Sequence, residues 1–79
     1  MSKRDKQILN TLILIADLGK GDATAGELSR WTEIPKTTIR RRIVALQKLG
    51  LVLGDYHTRN YGQALYYSAS YKLLMLGKV

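Results

Sequence analysis

The stretch Ala23–Leu53, ATAGELSRWTEIPKTTIRRRIVALQKLGLVL, decides the fold: it reads as a short helix, a tight turn, a basic helix and the start of a strand. Thr24-Ala25-Gly26-Glu27 fits a capping box, in which the Thr24 hydroxyl accepts from the Glu27 amide while the Glu27 carboxylate reaches back to the Thr24 amide, so a helix starts there. Leu28 and Trp31 fall three apart on one face, and Trp31 reads as a core or turn-packing residue. Thr32-Glu33-Ile34 then forms the turn, because a residue ahead of proline is steered away from helical dihedrals. Pro35 suits the first position of the next helix, where an N–H has no intrahelical acceptor. Two helices about four residues apart, over about 24–49, have helix-turn-helix spacing.

On the second of these helices, about Pro35 to Leu49, Ile39, Ile43 and Leu46 fall at i, i+4 and i+7 with Leu49 at the edge of the same stripe, and this side faces a core. At about 100° per residue the opposite side is centred on Thr37, Arg41, Val44 and Lys48, with Thr38, Arg40 and Ala45 flanking it. That side suits a DNA major groove: a helix fits the groove width, an arginine such as Arg41 donates twice to guanine O6 and N7, and Thr or Val methyls meet the thymine methyl. Arg40 and Lys48 suit phosphates, which set register without reading sequence. Arg42 lies near the core stripe, so its stem is expected over apolar surface with its head reaching outward. In isolation the Arg40-Arg41-Arg42 triplet reads as a solvated face; just after a helix-turn-helix it favours DNA contact.

Gly50 stops this helix and Leu51-Val52-Leu53 begins a strand. A hairpin follows, with one arm over about 51–56 and the other over about 64–71, the latter placing Leu65, Tyr67, Ala69 and Tyr71 on one face. Between the arms, His57-Thr58-Arg59-Asn60-Tyr61-Gly62-Gln63 reads as a polar loop. This loop makes a wing: Arg59 would enter a minor groove or pair with phosphate, and Asn60 or Tyr61 would contact sugar or backbone. Upstream, a helix from about Lys3 to Leu18 carries Ile8, Leu12, Ile15 and Ala16 at helical spacing, and Gly19 and Gly21 end it. Leu9 and Ile13 broaden its stripe, which means burial on two sides, within the domain or against a second copy. The tail, 72–79, contains Leu73-Leu74-Met75-Leu76 and either completes the core or joins a homodimer interface. Leu9, Ile13, Leu73, Leu74 and Leu76 are therefore the candidate dimer contacts.

The 79 residues suffice for one small domain, 1–79, and carry a formal net charge of +7 that is unevenly placed. Residues 1–33 hold five basic and five acidic side chains, whereas residues 34–79 hold eight basic ones against Asp55 alone. A polyanion is the natural partner of such asymmetry, although charge by itself also fits a solvated face or an anionic membrane surface. The absence of cysteine excludes disulfides and thiolate metal sites and is compatible with a reducing, cytoplasmic setting. The apolar run Ile8–Leu18 is broken by Asn10, Thr11 and Asp17 and is too short to span a bilayer, so no membrane partner is expected. The single histidine, His57, has only Asp55 as a nearby carboxylate, and Gly19, Gly21 and Gly26 do not follow a strand as a phosphate-binding glycine motif would. Ser68 and Ser70 lie on a strand without a base. No enzyme, metal or cofactor is expected.

Gly26-Glu27-Leu28-Ser29, Ile34-Pro35-Lys36-Thr37-Thr38-Ile39-Arg40-Arg41 and Leu46-Gln47-Lys48-Leu49-Gly50-Leu51-Val52 together resemble the N-terminal winged helix of the isocitrate lyase regulator (IclR) family. The stretch is also similar to the broader group that includes the multiple-antibiotic-resistance (MarR) regulators. The resemblance covers about 30 residues, and it implies that Lys36, Thr37, Thr38 and Arg41 contact DNA. Arg42 departs from the family pattern, which has an aliphatic residue there. The sequence shows no counterpart of the ligand-sensing domain such regulators carry, so no small-molecule effector is expected. By analogy, so small a regulator suits a virus, plasmid or mobile element.

The expectation is thus an α+β fold, a small winged helix-turn-helix of three helices plus a two- to three-stranded β-hairpin wing. It would act as a sequence-specific regulator of transcription on double-stranded DNA, homodimeric on an inverted repeat. An architectural or replication-associated DNA-binding protein with low sequence preference is one alternative, and a winged helix used as a protein-interaction module is another.

Overall fold

The first helix begins where a serine and an aspartate cap each other: the Ser2 Oγ accepts from the Asp5 N–H at 3.1 Å and the Asp5 carboxylate accepts from the Ser2 N–H at 3.3 Å. The computed structural model describes residues 1–59 and 62–79. Among them the elements run α1 (Lys3–Asp17), β1 (Asp22–Ala23), α2 (Ala25–Thr32), α3 (Lys36–Lys48), β2 (Val52–Arg59), β3 (Gly62–Ala69) and α4 (Tyr71–Leu76). The three strands form one antiparallel sheet in the order β1-β3-β2. The third strand is the two-residue β1, and α4 is a helix beyond the three expected.

The core gathers one stripe from each helix: Ile8, Leu9, Leu12 and Ile13 from α1, Leu28 from α2, Ile39, Ile43 and Leu46 from α3, closed by Val52, Tyr67 and Leu73. This corrects the dimer expectation for three residues. Leu9, Ile13 and Leu73 are buried within the single chain, because α1 is covered on two sides by elements of its own fold. Leu74 and Leu76 do remain exposed. The tail is fixed by Ser70, whose Oγ accepts from the Leu73 N–H at 3.1 Å to start α4, and by Asn10, whose amide exchanges two hydrogen bonds with the Val79 backbone at 2.9 and 3.0 Å.

The α2 capping box forms as read, with Glu27 N–H to Thr24 Oγ1 at 3.1 Å and Thr24 N–H to Glu27 Oε1 at 3.0 Å. The turn after it closes on Glu33, the one non-glycine residue with positive φ (62°) among those described. Three side-chain hydrogen bonds hold this turn: Thr32 Oγ1 to the Leu28 carbonyl at 2.6 Å, Ser29 Oγ to the Ile34 carbonyl at 2.6 Å, and Ile34 N–H to Thr32 Oγ1 at 3.3 Å. Pro35 sits one place earlier than expected, in the cap position with extended ψ of 140°, and its carbonyl accepts the first helical bond from Ile39.

Other expectations shift for local reasons. Leu49 is exposed, since α3 ends at Lys48, the chain reverses at Gly50 (φ 75°), and Leu51 takes the buried place. Trp31 is 44% exposed, while Ala25 and Leu28 are the residues α2 buries; the Lys20 ammonium lies 5.8 Å from the Trp31 ring centre. Tyr71 opens α4 instead of extending the sheet. The strands are longer than the sequence suggested, so His57, Thr58, Arg59, Gly62 and Gln63 are ladder residues and not loop.

Candidate nucleic-acid interface

The faces of α3 follow from its winding. With Ile39, Ile43 and Leu46 inward, a rotation of about 100° per residue sends Thr37, Arg41, Val44 and Lys48 outward. All four are exposed, as are Lys36 and Arg40. Among the described residues no carboxylate lies in ion-pair reach of Lys36, Arg40, Arg41 or Lys48. Four uncompensated cations on one helix, with Thr37 and Val44 between them, give a surface that attracts polyanions and presents both donors and methyl groups. Thr38 does not belong to it: its side chain is turned inward and only 9% exposed, since it lies about 100° from Ile39 on the side facing the other helices.

Arg42 lies on that inward edge too, and its role differs from the outward reach expected of it. Its Nε and an Nη donate to the two oxygens of Asp5 at 2.7 and 2.8 Å, a fork on a carboxylate that is 2% exposed. The guanidinium holds the Asp5 carboxyl below the usual carboxylate range against the opposing effect of burial. The charge of Arg42 is therefore committed to the scaffold.

The other edge of α3 faces the hairpin. The register pairs Gly54 with Tyr67, Tyr56 with Leu65 and Thr58 with Gln63, so these share one face of the sheet, and Asp55, His57, Arg59 and Tyr66 share the other. A Cβ on Gly54 would come 2.7 Å from the Gln47 amide and 3.5 Å from the Tyr67 ring, so the face of Gly54 is the one that looks at α3. Between them opens a cleft of about 420 Å³ whose walls include Gly26, Lys36, Arg40, Tyr56, Leu65 and Tyr67. Tyr67 is buried against it; burial pushes its phenol up, and the charge of Arg40 works the other way.

The structure does not bring Arg59 to this side. Arg59 donates to both oxygens of Asp22 on β1 at 3.0 and 2.9 Å and lies 4.0 Å over the Tyr66 ring. Its hydrogen bonding holds the Asp22 carboxyl below the ordinary range. Asn60 and Tyr61, the other wing residues expected at DNA, lie outside the described residues. Tyr56, which lines the cleft, was missed by the sequence reading; strand alternation across the hairpin from the buried Tyr67 would have placed it on this face. Among the described residues no group of three or more His, Cys, Asp or Glu is placed to hold a metal ion, and no helix is long and apolar enough to cross a membrane.

No protein-family model matches the chain, and no curated protein matches it in sequence. Solved structures do. A zinc-responsive MarR family member, ZitR of Lactococcus lactis, superposes with a TM-score of 0.74 at 14% identity, over 96% of this chain and 48% of that one. This chain thus spans about half the length of that protein. Stf76, from the Sulfolobus islandicus plasmid-virus pSSVx, superposes with a TM-score of 0.62 at 21% identity, over 87% of this chain and 92% of that one. These are likenesses of fold, and with the element order above they make the chain a winged helix.

Proposed function

We propose that this protein is a sequence-specific regulator of transcription that binds double-stranded DNA as a homodimer, each copy laying α3 in a major groove of an inverted repeat. The observation that carries the reading is the bare outward side of α3, where Lys36, Arg40, Arg41 and Lys48 have no carboxylate partner among the described residues while Arg42 and Arg59 do. Arg41, Thr37 and Val44 would read bases, and Lys36, Arg40 and Lys48 would hold phosphates. The fold shared with a MarR family member and with a plasmid-virus protein supports the regulatory role and the suggested kind of source.

The dimer would use the apolar surface that the fold leaves bare: Leu14 of α1 and Leu18 just after it, which are 55% and 74% exposed, with Leu74, Met75 and Leu76 of α4. Leu14 and the tail residues Gly77 and Lys78 line one shallow groove, so the two parts of this surface adjoin. A two-fold dimer would place its half-sites about 10 base pairs, or a multiple, apart.

The deciding experiment is selection of bound duplexes from a random library at near-physiological salt, followed by sequencing. An enriched inverted repeat is the expected outcome. Recovery without a motif would replace the reading with an architectural role, and no recovery at all would replace it with protein recognition.

A further inference from the structure

Among the described residues two arginines stand in bidentate pairs, and the second, Arg59, sits where a wing would be expected to touch DNA. Its two terminal nitrogens donate to Asp22 and its guanidinium lies over Tyr66, on the side of the sheet turned away from α3. Asp22 is on β1 and pairs with Ser68 of β3, so the Arg59–Asp22 bridge ties the far end of β2 to the far edge strand of the sheet. Such a bridge fixes the hairpin's attitude toward the helices.

The opposite face offers different chemistry. Tyr56 is 63% exposed, and among the described residues its hydroxyl has no protein hydrogen-bond partner. It shares the α3-side cleft with Lys36 and Arg40, and the cleft's walls contain no carboxylate among the described residues. Two cations and a phenol converging without an acid suit a group that is anionic and rich in acceptors, and phosphate oxygens are bound by these residue types.

We propose that this cleft seats one backbone phosphodiester of duplex DNA, with the Tyr56 hydroxyl donating from the wing and Lys36 and Arg40 from α3, and that Arg59 is a latch that sets the wing and not a DNA contact. The proposal rests on the DNA-binding reading above and names the contact by which helix and wing grip the same strand.

The test is fluorescence anisotropy of the full chain with a labelled 30-base-pair duplex of mixed sequence, titrated with salt, alongside thermal unfolding of each variant. Tyr56→Phe, which removes only the hydroxyl of an exposed side chain, is expected to weaken binding about 2- to 10-fold with an unchanged melting temperature. Lys36→Gln and Arg40→Gln should each lower the salt slope by about 1. Arg59→Gln and Asp22→Asn should lower the melting temperature alike and leave the salt slope as it is. A Tyr56→Phe protein that binds like the parent, or an Arg59→Gln protein with parental melting and a slope reduced by about 1, overturns the proposal while leaving DNA binding intact. A parent chain that does not bind the duplex at low salt overturns the proposal and its premise together.

Discussion

The two sides of α3 carry the same kind of residue to opposite ends. Arg41 and Arg42 are neighbours in sequence, yet about 100° of helical rotation puts one in open solvent and the other against a buried carboxylate. The same division runs through the whole chain. The first 33 residues are electrically neutral and the remainder carries the +7, but two acids of the neutral half, Asp5 and Asp22, reach across to Arg42 and Arg59 of the basic half. A further ion pair, Lys20 with Glu27 at 3.3 Å, stays within the first half. Positive charge is therefore not evenly available: where an acid crosses over, arginine is scaffold, and where none does, it is free for a polyanion.

That contrast breaks most visibly at Asp5. Asp5→Ala strips the carboxylate from a bidentate pair and from the α1 cap, and is expected to cost about 2 to 3 kcal/mol, or roughly 10 to 20 °C in melting temperature, with DNA affinity per folded molecule unchanged. Arg41→Ala is the mirror experiment. Its melting temperature should match the parent within error, while affinity for the preferred duplex falls about 5- to 100-fold and base preference relaxes at one position of each half-site. Equal loss on every duplex would move Arg41 from base reader to phosphate contact. Lys48→Ala is expected to do less: a uniform weakening across sequences and a salt slope smaller by about 1.

The smallest effect in the neutral range is that of pH. The carboxyls of Asp5 and Asp22 are held low by their arginines, and that of Glu27 is held low by the Thr24 N–H and Lys20 although burial pushes it up. A carboxyl with a lowered folded-state pKa contributes stability that is full above its unfolded value, near 4, and is lost as pH falls through the folded value. Chemical denaturation should thus give a flat stability between about pH 6 and 8 and a decline below about pH 4. Asp5→Asn should start lower and decline less.

What could be read from the sequence was chemistry that acts over a few residues. Thr24 and Glu27 announce α2 because each caps the other three positions away, and Gly50 marks the end of α3 because it takes a positive φ. Ile39, Ile43 and Leu46 gave the orientation of α3 by spacing alone. The arginine pairs were not legible in this way: Asp5 and Arg42, like Asp22 and Arg59, are 37 residues apart, and only the packed fold brings them together. Arg59 was also misplaced because the stretch around it looked like a polar loop. Once it is strand, alternation alone sends it to the far face. Leu9 and Ile13 of α1 and Leu73 of α4, candidates for a dimer contact by sequence, lie in the core because the short helix α4 folds back over α1.

The turn between α2 and α3 has a mechanical consequence. Three side-chain hydrogen bonds and a left-handed Glu33 fix it, so it is a stiff elbow without a hinge, and the two helices behave as one bent lever.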